Sequence, residues 1–197
     1  DTQGPALALT SPDAGVAVGA SATLAGTATD PSGPVSMLTV DFGTGPLATP
    51  LSGTTWSRAA TFPANLNRVL RTVTLTARDA LGNLGQATAQ VLVDTQGPTF
   101  TLTTPAAGVA VGASTTLTGT ASDPTGPVSM LTVDFGTGPI STPLTGSTWS
   151  RAATFPANLN RVQRPVTLSA QDALGNVGQA TPQVLVDRML DLAGVTA

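Results

Sequence analysis

The chain has 197 residues, a formal net charge of −3, and no His, Cys, Lys, Glu or Tyr. Because these residues supply most general acids, general bases, activated nucleophiles and zinc ligands, the composition predicts a protein that is not an enzyme and holds no zinc. The acidic balance and the lack of basic clusters argue against a nucleic-acid partner. No apolar run approaches the ~20 residues of a membrane-spanning helix.

Segments typical of β-strands alternate with turns along the first 93 residues. Thr, Val, Ala and Ser dominate these segments, and Gly and Pro mark turns at intervals of about 8 to 12 residues, the spacing typical of a β-sandwich. The predicted strands are 6–10, 21–29, 35–42, 47–51, 56–62, 72–77 and 86–93. We therefore expect about seven antiparallel strands in an all-β sandwich.

A second copy of residues 1–93 follows without a gap as residues 94–186. Of the 93 aligned positions 19 differ, which leaves 74 identical. A period of this length predicts one whole domain per copy. We expect domain 1 at 1–93, domain 2 at 94–186 and an extended rod. The tail, 187–197, either docks on a neighbour or enters a further segment.

The end of each copy carries a family resemblance. Residues 76–83 read Thr-Ala-Arg-Asp-Ala-Leu-Gly-Asn, and residues 94–98 read Asp-Thr-Gln-Gly-Pro. The chain resembles bacterial immunoglobulin-like repeats, in which an Ala-x-Asp-x-x-Gly-Asn turn and an Asp-Thr-x-x-Pro linker mark tandem copies. The resemblance covers residues 1–186. It implies two tandem immunoglobulin-like β-sandwiches in a secreted or cell-surface, adhesin-type protein.

Polar side chains are expected to gather at one end of each sandwich. In an immunoglobulin-like topology the start of the first strand, the second turn and the last turn lie at the same end. Carboxylate, Asn and backbone oxygens there would supply the about six to eight ligands that calcium takes. The candidate calcium ligands are Asp1, Asp30, Asp79 and Asn83 in the first copy, and Asp94, Asp123, Asp172 and Asn176 in the second. The alternative is ordinary turn chemistry, in which Asp hydrogen-bonds the backbone.

Each copy has one tryptophan, Trp56 or Trp149. An exposed indole would serve as a stacking platform for a sugar ring. However, Trp56 shares the parity of Ala60 and Phe62 in an alternating strand, a pattern that favours a place in the core.

Two differences between the copies introduce proline into predicted strands. Ala89 corresponds to Pro182, and Thr72 corresponds to Pro165. Because Pro has no backbone N–H, we expect Pro182 at a sheet edge or bulge and Pro165 at the first residue of a strand.

Two classes of function remain open. The first is a non-catalytic structural repeat of a bacterial extracellular or cell-surface protein: a stalk, spacer or assembly subunit that contacts neighbouring domains or copies of itself. The second is an adhesive binding module that recognises a glycan or a surface protein through its loops or an edge strand. A further variant places such domains on the surface of a virus particle.

Overall fold

The chain is described from a computed structural model that covers residues 1–128, 130–156 and 160–187. It divides into two compact units, Asp1–Thr95 and Gln96–Ala197. The predicted tail, apart from Asp187, lies outside the described residues. Within the described ranges all named elements are β-strands, and none of these residues builds an apolar helix of membrane-spanning length.

Two sheets make up the first unit. The strands are β1 (Ala6–Ser11), β2 (Ala17–Val18), β3 (Ser21–Thr29), β4 (Val35–Asp41), β5 (Leu47–Ala48), β6 (Leu51–Ser52), β7 (Thr55–Thr61), β8 (Val69–Asp79) and β9 (Leu84–Val93). One sheet has the order β1-β3-β7-β6 and the other β2-β9-β8-β4-β5. All of the pairs are antiparallel except β2 with β9, which is parallel.

The first unit differs from the predicted seven strands at two places. The sequence gives no sign of β2, because two residues are too few to show an alternating pattern. The predicted strand at 47–51 is two short strands, β5 and β6, which belong to different sheets. This division lets the chain cross from one sheet to the other between Ala48 and Leu51.

Alternating side chains of the long strands fill the core of the first unit. Val73, Leu75 and Ala77 of β8 are fully buried, as the period-two pattern predicts. Burial of a large apolar side chain of this kind contributes about 1.5–3 kcal/mol. Phe42 and Phe62 meet edge to face with ring centroids 6.0 Å apart.

The second unit repeats this arrangement with a divided sheet. Its strands are β10 (Thr99–Thr104), β11 (Ala110–Val111), β12 (Ser114–Ser122), β13 (Met130–Asp134), β14 (Ile140–Thr142), β15 (Leu144–Thr145), β16 (Thr148–Thr154), β17 (Val162–Pro165), β18 (Thr167–Gln171), β19 (Val177–Ala180) and β20 (Gln183–Val186). Among the described residues, the sheet orders are β10-β12-β16-β15, β11-β20-β17 and β14-β13-β18-β19.

Pro165 and Pro182 lie where this sheet of the second unit is divided. Pro182 lies between β19 and β20, and the Val166 N–H donates to its carbonyl at 2.9 Å. Pro182 has no N–H to return, so the ladder that is continuous between Val73 and Ala89 in the first unit is interrupted here. Pro165 is the last residue of β17, so the expectation that it begins a strand is wrong.

Candidate metal site

Three separate segments bring carboxylates together at one end of the first unit. Asp1 lies in the segment before β1, Asp30 directly follows β3, and Asp79 ends β8. One oxygen from each of the three carboxylates lies within 4.8 Å of the others. The local turns and the packing of the two sheets therefore bring together residues that are up to 78 positions apart in the chain.

Asp79 is the most firmly held member of this group. It is only 4% exposed, and its Oδ1 accepts the N–H groups of Leu81 and Asn83, both at 2.8 Å. Its Oδ2 accepts the side-chain amide of Asn83 at 2.7 Å. Burial alone would raise the pKa of Asp79, but the hydrogen bonds from Asn83 and from the backbone of the turn outweigh it and hold the pKa below its ordinary value. The carboxylate is therefore ionised at neutral pH.

Asn83 also reaches the first residue of the chain. Its Nδ2 donates to the Asp1 backbone carbonyl at 3.3 Å, as well as to Asp79. The Asp1 Oδ1 accepts the N–H of Gln3 at 2.9 Å, which turns the carboxylate back along its own segment. Asn83 thus links two of the predicted ligands through its amide group.

Asp30 is the member of this group whose carboxylate has a buried oxygen without a hydrogen-bond partner in the described structure. Its Oδ1 accepts the N–H of Ser32 at 2.9 Å. Its Oδ2 exposes less than 1 Å² and has no hydrogen-bond partner among the described residues. A buried acceptor without a partner is destabilising, and a cation beside it would remove that cost.

The donor set fits calcium. All three ligand atoms of the cluster are carboxylate oxygens, a type that calcium prefers. Calcium–oxygen distances of about 2.3–2.6 Å place two ligands of one ion no more than about 5.2 Å apart. The separation of 4.8 Å or less in the first unit falls inside that limit.

The predicted residues of the second copy are distributed as follows. Asp94 belongs to the first unit, where it is 0% exposed and its N–H donates to the Val18 carbonyl at 2.9 Å. In the second unit, Asp172 accepts the N–H groups of Leu174 and Asn176 at 2.8 Å and the Asn176 amide at 2.7 Å. Asp123 accepts N–H and hydroxyl bonds from Thr125 and has one oxygen within 4.8 Å of one from Asp172.

The tryptophans are core residues, as the alternating pattern favours. Trp56 is 3% exposed and Trp149 is 2% exposed, so neither offers a ring face for stacking. A shallow cavity of about 500 Å³ does open on the first unit and touches Trp56, but its other lining is mostly small side chains such as Thr10, Thr27 and Ser57. Both indole Nε1 atoms are buried without a hydrogen-bond partner in the described structure.

Comparisons with known proteins bear on the fold. No family model matches the chain, and no curated protein matches it. The chain is similar to the solved structure of a Ca²⁺-stabilized adhesin that helps an Antarctic bacterium reach out and bind ice, with TM-score 0.53 and 17% identity over 95% of this chain and 50% of that chain. The chain therefore spans about half the length of that structure.

Two further solved structures align over nearly their whole length. They are DIP-gamma IG1+IG2 (TM-score 0.43, 12% identity, 95% of this chain and 98% of that chain) and a chimeric titin Z1Z2 carrying a decorin peptide (TM-score 0.35, 19% identity, 95% and 98%). Similarity at such identities concerns the fold alone. The described residues form an all-β, immunoglobulin-like sandwich in each unit, as the sequence predicts.

Proposed function

We propose that this chain is a non-catalytic structural module of a bacterial extracellular or cell-surface protein, stabilised by calcium at the Asp-rich end of each repeat. The observation that carries the proposal is the buried, unpartnered Oδ2 of Asp30 beside two other carboxylates. Turn chemistry alone accounts for the Oδ1 of Asp30 and for both oxygens of Asp79. It leaves the Asp30 Oδ2 without a partner, and an ion supplies one.

An ion at this site would join three segments that are otherwise separate. The segment before β1, the turn after β3 and the turn between β8 and β9 would share one set of coordination bonds. A stalk or spacer benefits from this arrangement because it stiffens the end of an immunoglobulin-like unit without a disulfide. The adhesin with TM-score 0.53 is itself described as Ca²⁺-stabilized, which is in keeping with the proposal.

The 93-residue repeat extends the proposal to the second copy. Asp94, Asp123, Asp172 and Asn176 occupy the positions of Asp1, Asp30, Asp79 and Asn83 in the aligned sequence. We therefore expect two calcium ions per chain.

Calorimetry with and without calcium tests the site. Sites in extracellular modules bind calcium with Kd of about 0.1–1 mM, so calcium at about 100 times Kd would add about 2.7 kcal/mol to the free energy of unfolding. For a unit of this size that gain raises Tm by about 10–20 °C. Chelator should lower Tm by that amount, and excess calcium should restore it. An identical melt in both buffers would refute the calcium site.

Asp30→Asn is the informative variant, with Asp13→Ala as its control. Asn keeps an oxygen for the Ser32 N–H but removes the charge, so titration calorimetry should show one calcium per chain in place of two. Asp13 is an exposed acid outside the cluster, and its variant should still bind two. Equal loss in both variants would mean that calcium responds to net charge only.

The burial of both tryptophans favours the structural role over a glycan-binding module, because it removes the stacking surface that a sugar would use. Light scattering and a glycan array on the purified chain separate the two functions. Self-association without array binding supports a structural module. A monomer that binds a sugar saturably would instead establish the adhesive function.

A further inference from the structure

Two glycines allow the first segment of the chain to cross β9 in direct backbone contact. A methyl group added at Gly4 would lie 2.2 Å from the carbonyl carbon and oxygen of Leu84. A methyl group added at Gly85 would lie 2.0 Å from the carbonyl oxygen of Pro5. Real Cβ atoms do not approach other atoms this closely, so the crossing exists only because both residues lack a Cβ.

The same crossing occurs in the second unit. There an added methyl group would lie 2.2 Å from the Gly178 nitrogen at Gly97, and 2.0 Å from the Pro98 carbonyl oxygen at Gly178. The geometry is therefore a property of each repeat.

On both of its segments the crossing is close in sequence to residues of the candidate metal site. Gly4 is three residues after Asp1, and Gly85 is two residues after Asn83. The Asn83 amide already donates to Asp79 and to the Asp1 carbonyl. The first segment is thus held at its start by Asn83 and at its end by the glycine crossing, with Pro5 buried immediately beyond.

We propose that Gly4 and Gly85 are positioning residues for the calcium site, because their backbone crossing sets where the Asp1 carboxylate lies relative to Asp30 and Asp79. This inference rests on the proposed calcium site. The sheets fix Asp30 and Asp79, because Asp30 directly follows β3 and Asp79 is the last residue of β8, whereas Asp1 lies outside any strand. Its position depends on the path of its own segment, and a ligand that is already placed binds an ion more tightly than one that must first be ordered.

Gly4→Ala is the test, because Gly4 lies in the segment before β1, which can move away from the clash with Leu84 while the strands of the sheets stay paired. In the full chain, titration calorimetry should show one of the two calcium sites weakened by about 10- to 100-fold, the range seen when residues that orient metal ligands are replaced. In the variant the segment before β1 moves away from Leu84, so Tm in chelator should fall less than it does in Gly26→Ala, where both clashing residues lie in strands. Gly33→Ala is the matched control, since a Cβ at Gly33 meets nothing within 4 Å although it is three residues from Asp30.

A double-mutant cycle shows whether Gly4 acts through Asp1. Asp1→Asn should weaken the same site, and adding Gly4→Ala to it should weaken that site no further. Additive losses would overturn the proposal, as would unchanged calcium affinity in Gly4→Ala beside a wild type that binds two ions. Gly85→Ala should repeat the loss if it folds. A wild type without calcium binding would refute the proposed calcium site, and this proposal with it.

Discussion

The indole of Trp56 provides a direct test of how the core of the first unit is built. Trp56 is 3% exposed and lies against the backbone of Gly26, where an added Cβ would come within 2.7 Å of the ring. Its Nε1 is nevertheless buried without a hydrogen-bond partner. The side chain therefore stabilises the unit through packing and destabilises it through one unsatisfied donor.

Two substitutions separate these contributions. Trp56→Ala removes the packing and leaves a cavity, at a cost of about 3–5 kcal/mol. Trp56→Phe loses part of the ring, at about 1–3 kcal/mol by the same cavity argument, but it also removes an unsatisfied donor that costs about 1–3 kcal/mol. The two effects nearly cancel, so the free energy of unfolding should change by no more than about 1 kcal/mol.

Urea unfolding and thermal melting, both followed by circular dichroism, measure the two variants, with Trp149→Ala and Trp149→Phe as the matched pair in the second unit. At about 4–8 °C per kcal/mol, Trp56→Ala should lower the Tm of the first unit by about 12–40 °C. In Trp56→Phe the emission of Trp149 reports on the second unit alone and should stay blue-shifted. A loss in Trp56→Phe of about 2–3 kcal/mol, the cost of the smaller ring alone, would show that the buried N–H carries no penalty.

Three further predictions concern the first unit. Because the pKa of Asp79 is lowered in the folded state, the stability that its carboxylate contributes is complete above an ordinary carboxyl pKa of about 4 and is lost as pH falls through the folded-state pKa. In chelator, Tm should therefore fall below about pH 4 in the wild type and less steeply in Asp79→Asn. Parallel curves of Tm against pH would contradict this. Gly26→Ala should cost about 3 kcal/mol by urea unfolding, because its Cβ would lie 1.9 Å from the Ala8 carbonyl oxygen; a neutral result would mean that β1 moves freely. Asp13→Ala should change stability by less than about 0.5 kcal/mol, since Asp13 is exposed and the second copy already carries Ala106 there; a larger loss in the same assay would reveal an unrecognised contact.

Local patterns predicted the parts of the fold that one segment decides by itself. The alternation through Trp56, Ala60 and Phe62 indicates a core-facing side of β7, and the structure buries all three. The Asp-x-x-Gly-Asn pattern predicts a turn, and Asp79 closes it with hydrogen bonds to residues no more than four positions away.

Local patterns predict less where the pairing with a neighbouring strand decides whether a segment is a strand. The two residues of β2 form a strand only because β9 lies beside them. Pro182 interrupts the ladder of the second unit because its partner strand needs an N–H that proline lacks. Neither outcome follows from the local sequence, since each depends on which backbone groups face each other across a sheet.

The candidate metal site also combines features that the local sequence decides with features that the tertiary structure decides. The sequence by itself determined the long strands, the turns and the set of acidic residues near the strand ends, because these depend on alternation and on the local hydrogen bonds that Asp, Asn, Gly and Pro form or prevent within a few residues. Only the tertiary structure decided that Asp1, Asp30 and Asp79 meet, that one oxygen of Asp30 is left without a partner, and that Gly4 crosses Gly85. Those contacts join residues 29 to 81 positions apart, and such distances are closed by the packing of two sheets, which no single segment encodes.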